Sequence, residues 1–188
     1  MLITTPTPEL SKLEAFSALP PALALKKVIP VLERLVEDPA FRSSEILPLL
    51  EQADRAKEWY VAGTHTGDNR FFSLQIFVWP PGSETKVHDH ASWGALRCVV
   101  GSIVEERYER LDHGLEPNRA RLRKVWRMVW SRQDRASTVL PYEGGIHRVG
   151  NPGPGTAVSV HLYGRLMGEL DGRDYDPSRD YVCDRAVA

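Results

Sequence analysis

Two cysteines, Cys98 and Cys183, are all that 188 residues contain, and neither has a C-x-x-C partner. A disulfide framework is therefore excluded as the basis of the fold, and free thiols in a reducing compartment are expected. Excess charge of either sign is also missing. With 24 Lys and Arg against 25 Asp and Glu, the chain lacks the basic footprint that nucleic-acid binders carry. No apolar run approaches the roughly 18 residues of a membrane span, and the opening "MLITTPTPELSKLEAF" has no basic region followed by an apolar one. These absences lead to the expectation of a cytoplasmic protein with no nucleic-acid and no membrane partner, acting on a small soluble ligand. Oligomeric state leaves no mark in the sequence.

The length suits one domain with a real core. Its first 60 residues are rich in Leu, Ala, Glu and Lys at helical spacing. "PALALKKVIPVLERLVED" puts Leu25, Val28, Leu32 and Leu35 on one face, and "SSEILPLLEQADRAKEWY" opens with a serine cap before Glu45, Ile46 and Leu49. Pro30 and Pro48 are candidate breaks or kinks. No motif marks this segment, so residues 1–60 are expected to form helical scaffold packed on a β unit spanning 61–188. From Phe71 onward, short runs of β-branched and aromatic residues alternate with Gly, Pro and Asp clusters, the pattern of an antiparallel sandwich or barrel. Strands are expected over 71–79, around 85–90, over 95–110 with a bend near Gly101, over 124–131, and at "STVLPY", "IHRVGN" and "AVSVHLYG". The tail from about residue 169 reads as irregular surface chain.

Two of the six histidines, His88 and His90, stand one residue apart in "GSETKVHDHASWGALRCVVG". On a strand, residues two apart face the same side, so two imidazoles can converge on one ion while Asp89 turns away. "PYEGGIHRVGN" offers His147 as a third ligand. The glycines around these histidines are spaced as in a known pair of motifs. Gly82, five residues, His-x-His, three residues, Gly94, six residues and Gly101 follow the first cupin motif, with Gly94 in place of the usual glutamate ligand. Gly144, two residues, His147, three residues and Asn151 follow the second, with Pro141 one place off. The chain thus resembles the cupin superfamily, which implies an all-β core: a double-stranded β-helix, or jelly-roll-like barrel, holding a metal inside. Three neutral imidazoles would leave a divalent ion its full charge and, if octahedral, three open positions. A thiolate is an apt anion for such a site and leaves room for dioxygen beside it. Zinc cannot exchange electrons with oxygen, whereas iron can.

"AVSVHLYG" alternates sharply, with Ser159, His161 and Tyr163 on one face and Val158, Val160 and Leu162 on the other. If the apolar face packs outward, the polar trio lines the interior as a hydrogen-bond chain ending in a phenol. "VHDHASWG", "GGIHRVGN" and "SVHLYG" together resemble the cysteine dioxygenase family, from about Trp59 to Tyr175. The resemblance implies Fe(II) held by His88, His90 and His147, a relay of Ser159, His161 and Tyr163, and oxidation of a small thiol to its sulfinate by dioxygen. "SWG" is similar to the bacterial members that resemble 3-mercaptopropionate dioxygenase. They lack the cysteine near Gly94 that crosslinks to the tyrosine in mammalian-type members. Cys98, four residues further along, is expected to be core. Ala62 aligns with the carboxylate-binding arginine of many members, so a carboxylate clamp would come from elsewhere, and Arg173, Arg165 and Arg97 are the candidates. The alternatives are a cupin metalloenzyme acting on another chelating substrate and a non-catalytic metal- or ligand-binding cupin.

Overall fold

A computed structural model describes residues 3, 8–50, 56–66, 72–165 and 172–183. Helices come first: α1 (Pro8–Ser17), α2 (Pro21–Glu37), α3 (Pro39–Phe41) and α4 (Leu47–Leu50), with a π turn over Arg42–Ile46 joining the last two. In α2, Pro21 sits at the first helical position, where its missing N–H costs nothing, and Ala24, Leu25, Val28, Val31, Leu32 and Leu35 form the buried stripe. The helix continues through Pro30. Before Pro48 the chain widens into the π turn, which relieves the crowding a proline ring imposes on the preceding carbonyls.

The expected serine cap is corrected. Asp38 is the cap, its carboxylate accepting from the N–H groups of Ala40 (2.7 Å) and Phe41 (3.1 Å). Ser43 and Ser44 lie a turn later and donate to the carbonyl of Ala40. The expected helix over 43–60 also runs too far. Residues 51–55 lie outside the described residues, 56–59 are not helical, and Tyr60 opens a strand.

Eleven strands follow among the described residues: β1 (Tyr60–Thr66), β2 (Phe72–Trp79), β3 (Val87–His88), β4 (Gly94–Val100), β5 (Ser102–Arg110), β6 (Leu122–Ser131), β7 (Ser137–Val139), β8 (His147–Gly150), β9 (Ala157–Gly164), β10 (Asp174–Asp176) and β11 (Tyr181–Cys183). They form two antiparallel sheets, ordered β1-β2-β9-β4-β7 and β11-β10-β3-β8-β5-β6. This is the cupin β-barrel with a helical segment before it. Gly101 bends the expected 95–110 strand from one sheet into the other. Its φ is +67°, and an added Cβ would meet the Thr156 carbonyl oxygen at 3.0 Å.

The outward side chains of the first sheet, among them Leu74, Ile76, Val78, Val158, Val160 and Leu162, share one core with Leu25, Val28, Leu32 and Leu35 of α2. Inside the barrel a second cluster joins Phe77, Trp79, Leu96, Cys98 and Ala157 of the first sheet to Ile103 and Val149 of the second. The tail is a second correction. Its described part is not irregular surface: β10 pairs with β3, and Tyr175 and Val182 are buried with Val87 and Ile146. The charged residues around these two inward positions hide the period-2 pattern from a composition reading. No described helix is long and apolar enough to cross a membrane.

Candidate metal centre

The three histidines come from adjacent pieces of backbone. His88 on β3 is the direct cross-strand partner of His147 on β8, and β10 flanks His88 on its other side through Asp174. His90 lies just past β3, where its carbonyl accepts from the N–H of Tyr142 (2.7 Å) and the intervening Asp89 N–H donates to Arg173 O (3.0 Å). Asp89 is buried and tied down: its carboxylate accepts from Arg173 N, Nε and Nη2 at 2.8, 2.9 and 2.6 Å and from the Tyr175 hydroxyl at 2.7 Å. The residue between the two imidazoles therefore acts as a latch on the loop that carries them.

Ligand atoms of His88, His90 and His147 all lie within 4.8 Å of one another, and His90 Nε2 and His147 Nε2 are 3.2 Å apart. Two nitrogens each about 2.1 Å from one ion are about 3.0 Å apart at an octahedral right angle and about 3.4 Å apart in a tetrahedron, so the spacing fits a shared divalent ion. The outer nitrogens are spoken for. His88 Nδ1 donates to the Lys86 carbonyl (3.0 Å), and His147 Nδ1 donates to Glu105 Oε1 (3.0 Å). Both bonds fix the tautomer that leaves Nε2 with its lone pair. Burial, then the neighbouring His147, hold His88 down to about 4, and burial holds His90 well below its ordinary 6.5. Neutral, aimed imidazoles are the form that binds a metal.

Glu105, bonded directly to His147, was not among the residues the sequence singled out. It is wholly buried, and accepts from Ser137 Oγ (2.5 Å), Trp130 Nε1 (3.1 Å) and Arg107 Nε (3.3 Å) as well as from His147. Burial alone would push its carboxyl up, but His147, Arg107 and Ser137 outweigh that and leave it at about 2, a fixed anion behind one ligand. The available signal was parity: Glu105 shares the inward face of β5 with Ile103.

Gly94 offers no ligand and has little space for one. A Cβ there would meet Val139 Cγ2 at 3.0 Å and Tyr163 Cδ1 at 3.3 Å. Tyr163 is its cross-strand partner, while Cys98 lies opposite Ser159. Cys98 is packed in the inner core with its thiol pushed up to about 11 by burial, too high for a reactive thiolate at neutral pH.

The polar trio of β9 forms the expected chain. Trp79 Nε1 donates to Ser159 Oγ (2.8 Å), Ser159 Oγ is 2.7 Å from His161 Nε2, and His161 Nδ1 is 3.0 Å from the Tyr163 hydroxyl. Burial holds His161 down to about 3, so it carries one N–H. If Nε2 bore that hydrogen, Ser159 would receive two donors and its own hydrogen would need another acceptor in a fully buried place. The direction Trp79 to Ser159 to His161 to Tyr163 satisfies every member. The centroids of the Tyr163 and His90 rings are 4.8 Å apart.

A cavity of about 480 Å³ joins these parts, lined by His88, His90, His147, His161 and Tyr163 and also by Arg173. The other two candidate arginines do not line it. Arg97 has the strand parity of Ala95 and turns to the Arg132 carbonyl (3.1 Å) and Glu37 (3.7 Å) at the end of α2. Arg165 is exposed just beyond β9. Ala62 does not face the cavity either: a bulge between Val61 and Gly63 turns it into the helix-side core, and Val61 lines the cavity beside Phe77 in its place.

The family model for cysteine dioxygenase type I matches residues 51–170, well over half of the chain. The chain belongs to that family. The fold also has likenesses among solved structures: a cupin superfamily protein from Desulfitobacterium hafniense (11% identity, 59% of this chain and 81% of that one, TM-score 0.43); a cupin-like protein from Thermotoga maritima (13%, 65% and 84%, 0.43); and oxalate oxidase with the substrate analogue glycolate (18%, 51% and 43%, 0.40). The chain spans under half of the oxalate oxidase chain. Such distant likenesses say nothing about its chemistry. Membership of the cysteine dioxygenase family is carried by the sequence match, and the three-histidine cluster stands inside the matched segment.

Proposed function

We propose that the protein is a non-haem Fe(II) thiol dioxygenase, similar to the 3-mercaptopropionate dioxygenase-like members, with His88, His90 and His147 as ligands and Ser159, His161 and Tyr163 as relay. The observation that carries the reading is the meeting of three imidazoles, with no carboxylate in the cluster among the described residues, and a directed hydrogen-bond chain whose phenol stands beside His90. Fe(II), when bound there, supplies open positions for a thiolate and dioxygen and the electron exchange that zinc lacks. The reaction RSH + O₂ → RSO₂H balances without a reductant.

The chain's own residues account for the rest. Glu105 and the Lys86 carbonyl hold two imidazoles in the ligating tautomer. Ser159 and His161 orient the Tyr163 hydroxyl, so that its hydrogen points away from His161 and can be offered to the reacting sulfur and oxygen atoms. Arg173 is the candidate for a substrate carboxylate, because it alone of the three candidate arginines lines the cavity. Its Nε and Nη2 are engaged by Asp89, whereas Nη1 has Glu143 at 4.0 Å. Oxygen uptake and sulfinate formation by the iron-loaded protein with cysteine, 3-mercaptopropionate, mercaptosuccinate and cysteamine test the reading. Sulfinate in proportion to oxygen consumed is expected. Iron binding with no thiol-dependent oxygen uptake would reject it in favour of a cupin acting on another chelating substrate.

A further inference from the structure

The cavity is larger than the metal centre and a small thiol require. Its volume of about 480 Å³ lies within the roughly 300 to 1,000 Å³ of sites that enclose drug-sized ligands. A mercapto-acid of about six non-hydrogen atoms, at roughly the 30 Å³ share of one water each, fills less than half of it. One stretch of the remaining wall is apolar, while Thr66, Ser73, Gln75, Thr85 and Ser92 line other parts. Trp59, Val61, Phe77 and Trp79 form the apolar stretch, with ring centroids 5.8 Å (Trp59–Phe77), 5.7 Å (Trp59–Trp79) and 5.6 Å (Phe77–Trp79) apart. Interplanar angles of 33°, 32° and 16° make these rings a platform. Mutually perpendicular faces would box an ammonium group; near-parallel ones suit a flat apolar group laid against them.

Trp59 is 36% and Val61 41% exposed, yet both line the cavity. Apolar surface of this kind within a concave site marks where a ligand's own apolar part is covered. Charge points the same way. The ionic side chains lining the cavity are Asp89, Arg173 and Asp174, none of them on β1 or β2, and the two carboxylates are already paired with Arg173 and Lys86. No carboxylate on the platform's own strands balances a cation. The β1 bulge is the cause: by sending Ala62 into the helix-side core it gives the cavity Val61.

We infer that Trp59, Val61, Phe77 and Trp79 form a subsite for an apolar, flat substituent, so that the preferred substrate is a thiol bearing a hydrocarbon group beyond its sulfur and chelating arm. The word thiol rests on the proposed function; the platform does not. The test compares 3-mercaptopropionate with 2-benzyl-3-mercaptopropionate on the iron-loaded protein. It also measures binding of 3-phenylpropionate, which has no sulfur, to metal-free protein by saturation-transfer NMR.

The benzyl compound is expected to show a kcat/KM higher by roughly ten- to a hundred-fold, the factor that burying one phenyl side chain sets. Trp59→Ala and Val61→Glu should each bring the ratio towards one, with iron content and melting temperature as controls for folding. 3-Phenylpropionate should bind the wild-type protein and be lost from both variants. Binding of that acid with no turnover of either thiol supports the platform and rejects the thiol chemistry. Turnover of the parent thiol with no gain from the benzyl group, and no binding of 3-phenylpropionate, overturns the platform and leaves the thiol chemistry standing.

Discussion

Replacing Glu105 by Gln removes one charge and exchanges one acceptor oxygen for a donor, in a place with no water to repair the mismatch. The native carboxylate takes His147 Nδ1 and Arg107 Nε on Oε1, and Ser137 Oγ and Trp130 Nε1 on Oε2. If the new amide nitrogen stands on the Oε2 side, the serine hydroxyl can rotate to accept, but the indole N–H cannot and is left unsatisfied at about 1 to 3 kcal/mol. If it stands on the Oε1 side, His147 must accept at Nδ1, which moves its hydrogen to Nε2 and removes the lone pair aimed at the metal. Both outcomes weaken the site, the first through stability and the second through the ligand itself. Loss of such an outer partner typically costs 10- to 100-fold in metal affinity. Competition between the protein and a chromophoric chelator for Co(II), beside a thermal melt of the metal-free protein, measures the two costs separately. Metal affinity within two-fold of wild type in Glu105→Gln would show that the carboxylate supports the barrel and has no part in preparing His147.

Three other outcomes are expected. Tyr163→Phe should lower thiol-dependent oxygen uptake per bound iron by about 10- to 1000-fold, the usual worth of one positioned donor, while iron content stays unchanged; full turnover at equal iron would remove the phenol from the chemistry. Gly94→Ala places a Cβ 3.0 Å from Val139 and 3.3 Å from the Tyr163 ring, so about 1 to 3 kcal/mol of overpacking is expected in the melt, and turnover should fall through displacement of Tyr163. The third concerns pH. His88 and His161 are held by burial at about 4 and about 3, below the ordinary 6.5, so an unfolded chain takes up protons below pH 6.5 that the folded chain refuses. The contribution of these two histidines to the stability of the metal-free protein should therefore be level above pH 7. It should lose up to about 1.4 kcal/mol per histidine per pH unit as the pH falls from 6.5 towards 4. A melting temperature constant from pH 7 to pH 4.5 would contradict the burial of these rings as neutral groups.

How far the sequence discloses this molecule depends on whether a feature is local. The histidine pair and the polar chain of β9 were legible because period-2 alternation is a property of a few consecutive residues: His88 with His90, and Ser159 with His161 and Tyr163, declare a common face. The face opposite the relay was legible for the same reason, and Val158, Val160 and Leu162 do pack towards α2. Asp38 could have been read as a cap, since a carboxylate before Pro39 is a strong start signal, but Ser43 and Ser44 supplied a competing one. Glu105 was hidden because an acidic residue in "VEERYER" reads as solvated until three other strands are known to bring Trp130, Ser137 and His147 to it. The pairing of Arg173 with Asp89 was hidden likewise, since only the β10–β3 pairing joins them.

β1 shows the physical limit most clearly. "YVAGTHT" mixes small, polar and apolar residues because it is an edge strand with a bulge, and one extra residue in a strand inverts the face of everything before it. Counting residues back from His88 reaches Ala62 and suggests a gap where a cationic group belongs. The folded backbone answers with Val61, which extends the apolar patch of Trp59, Phe77 and Trp79 at that place in the wall. The proposed apolar subsite therefore rests on a register shift that no count along the chain records, whereas the three clustered histidines declare themselves by local spacing.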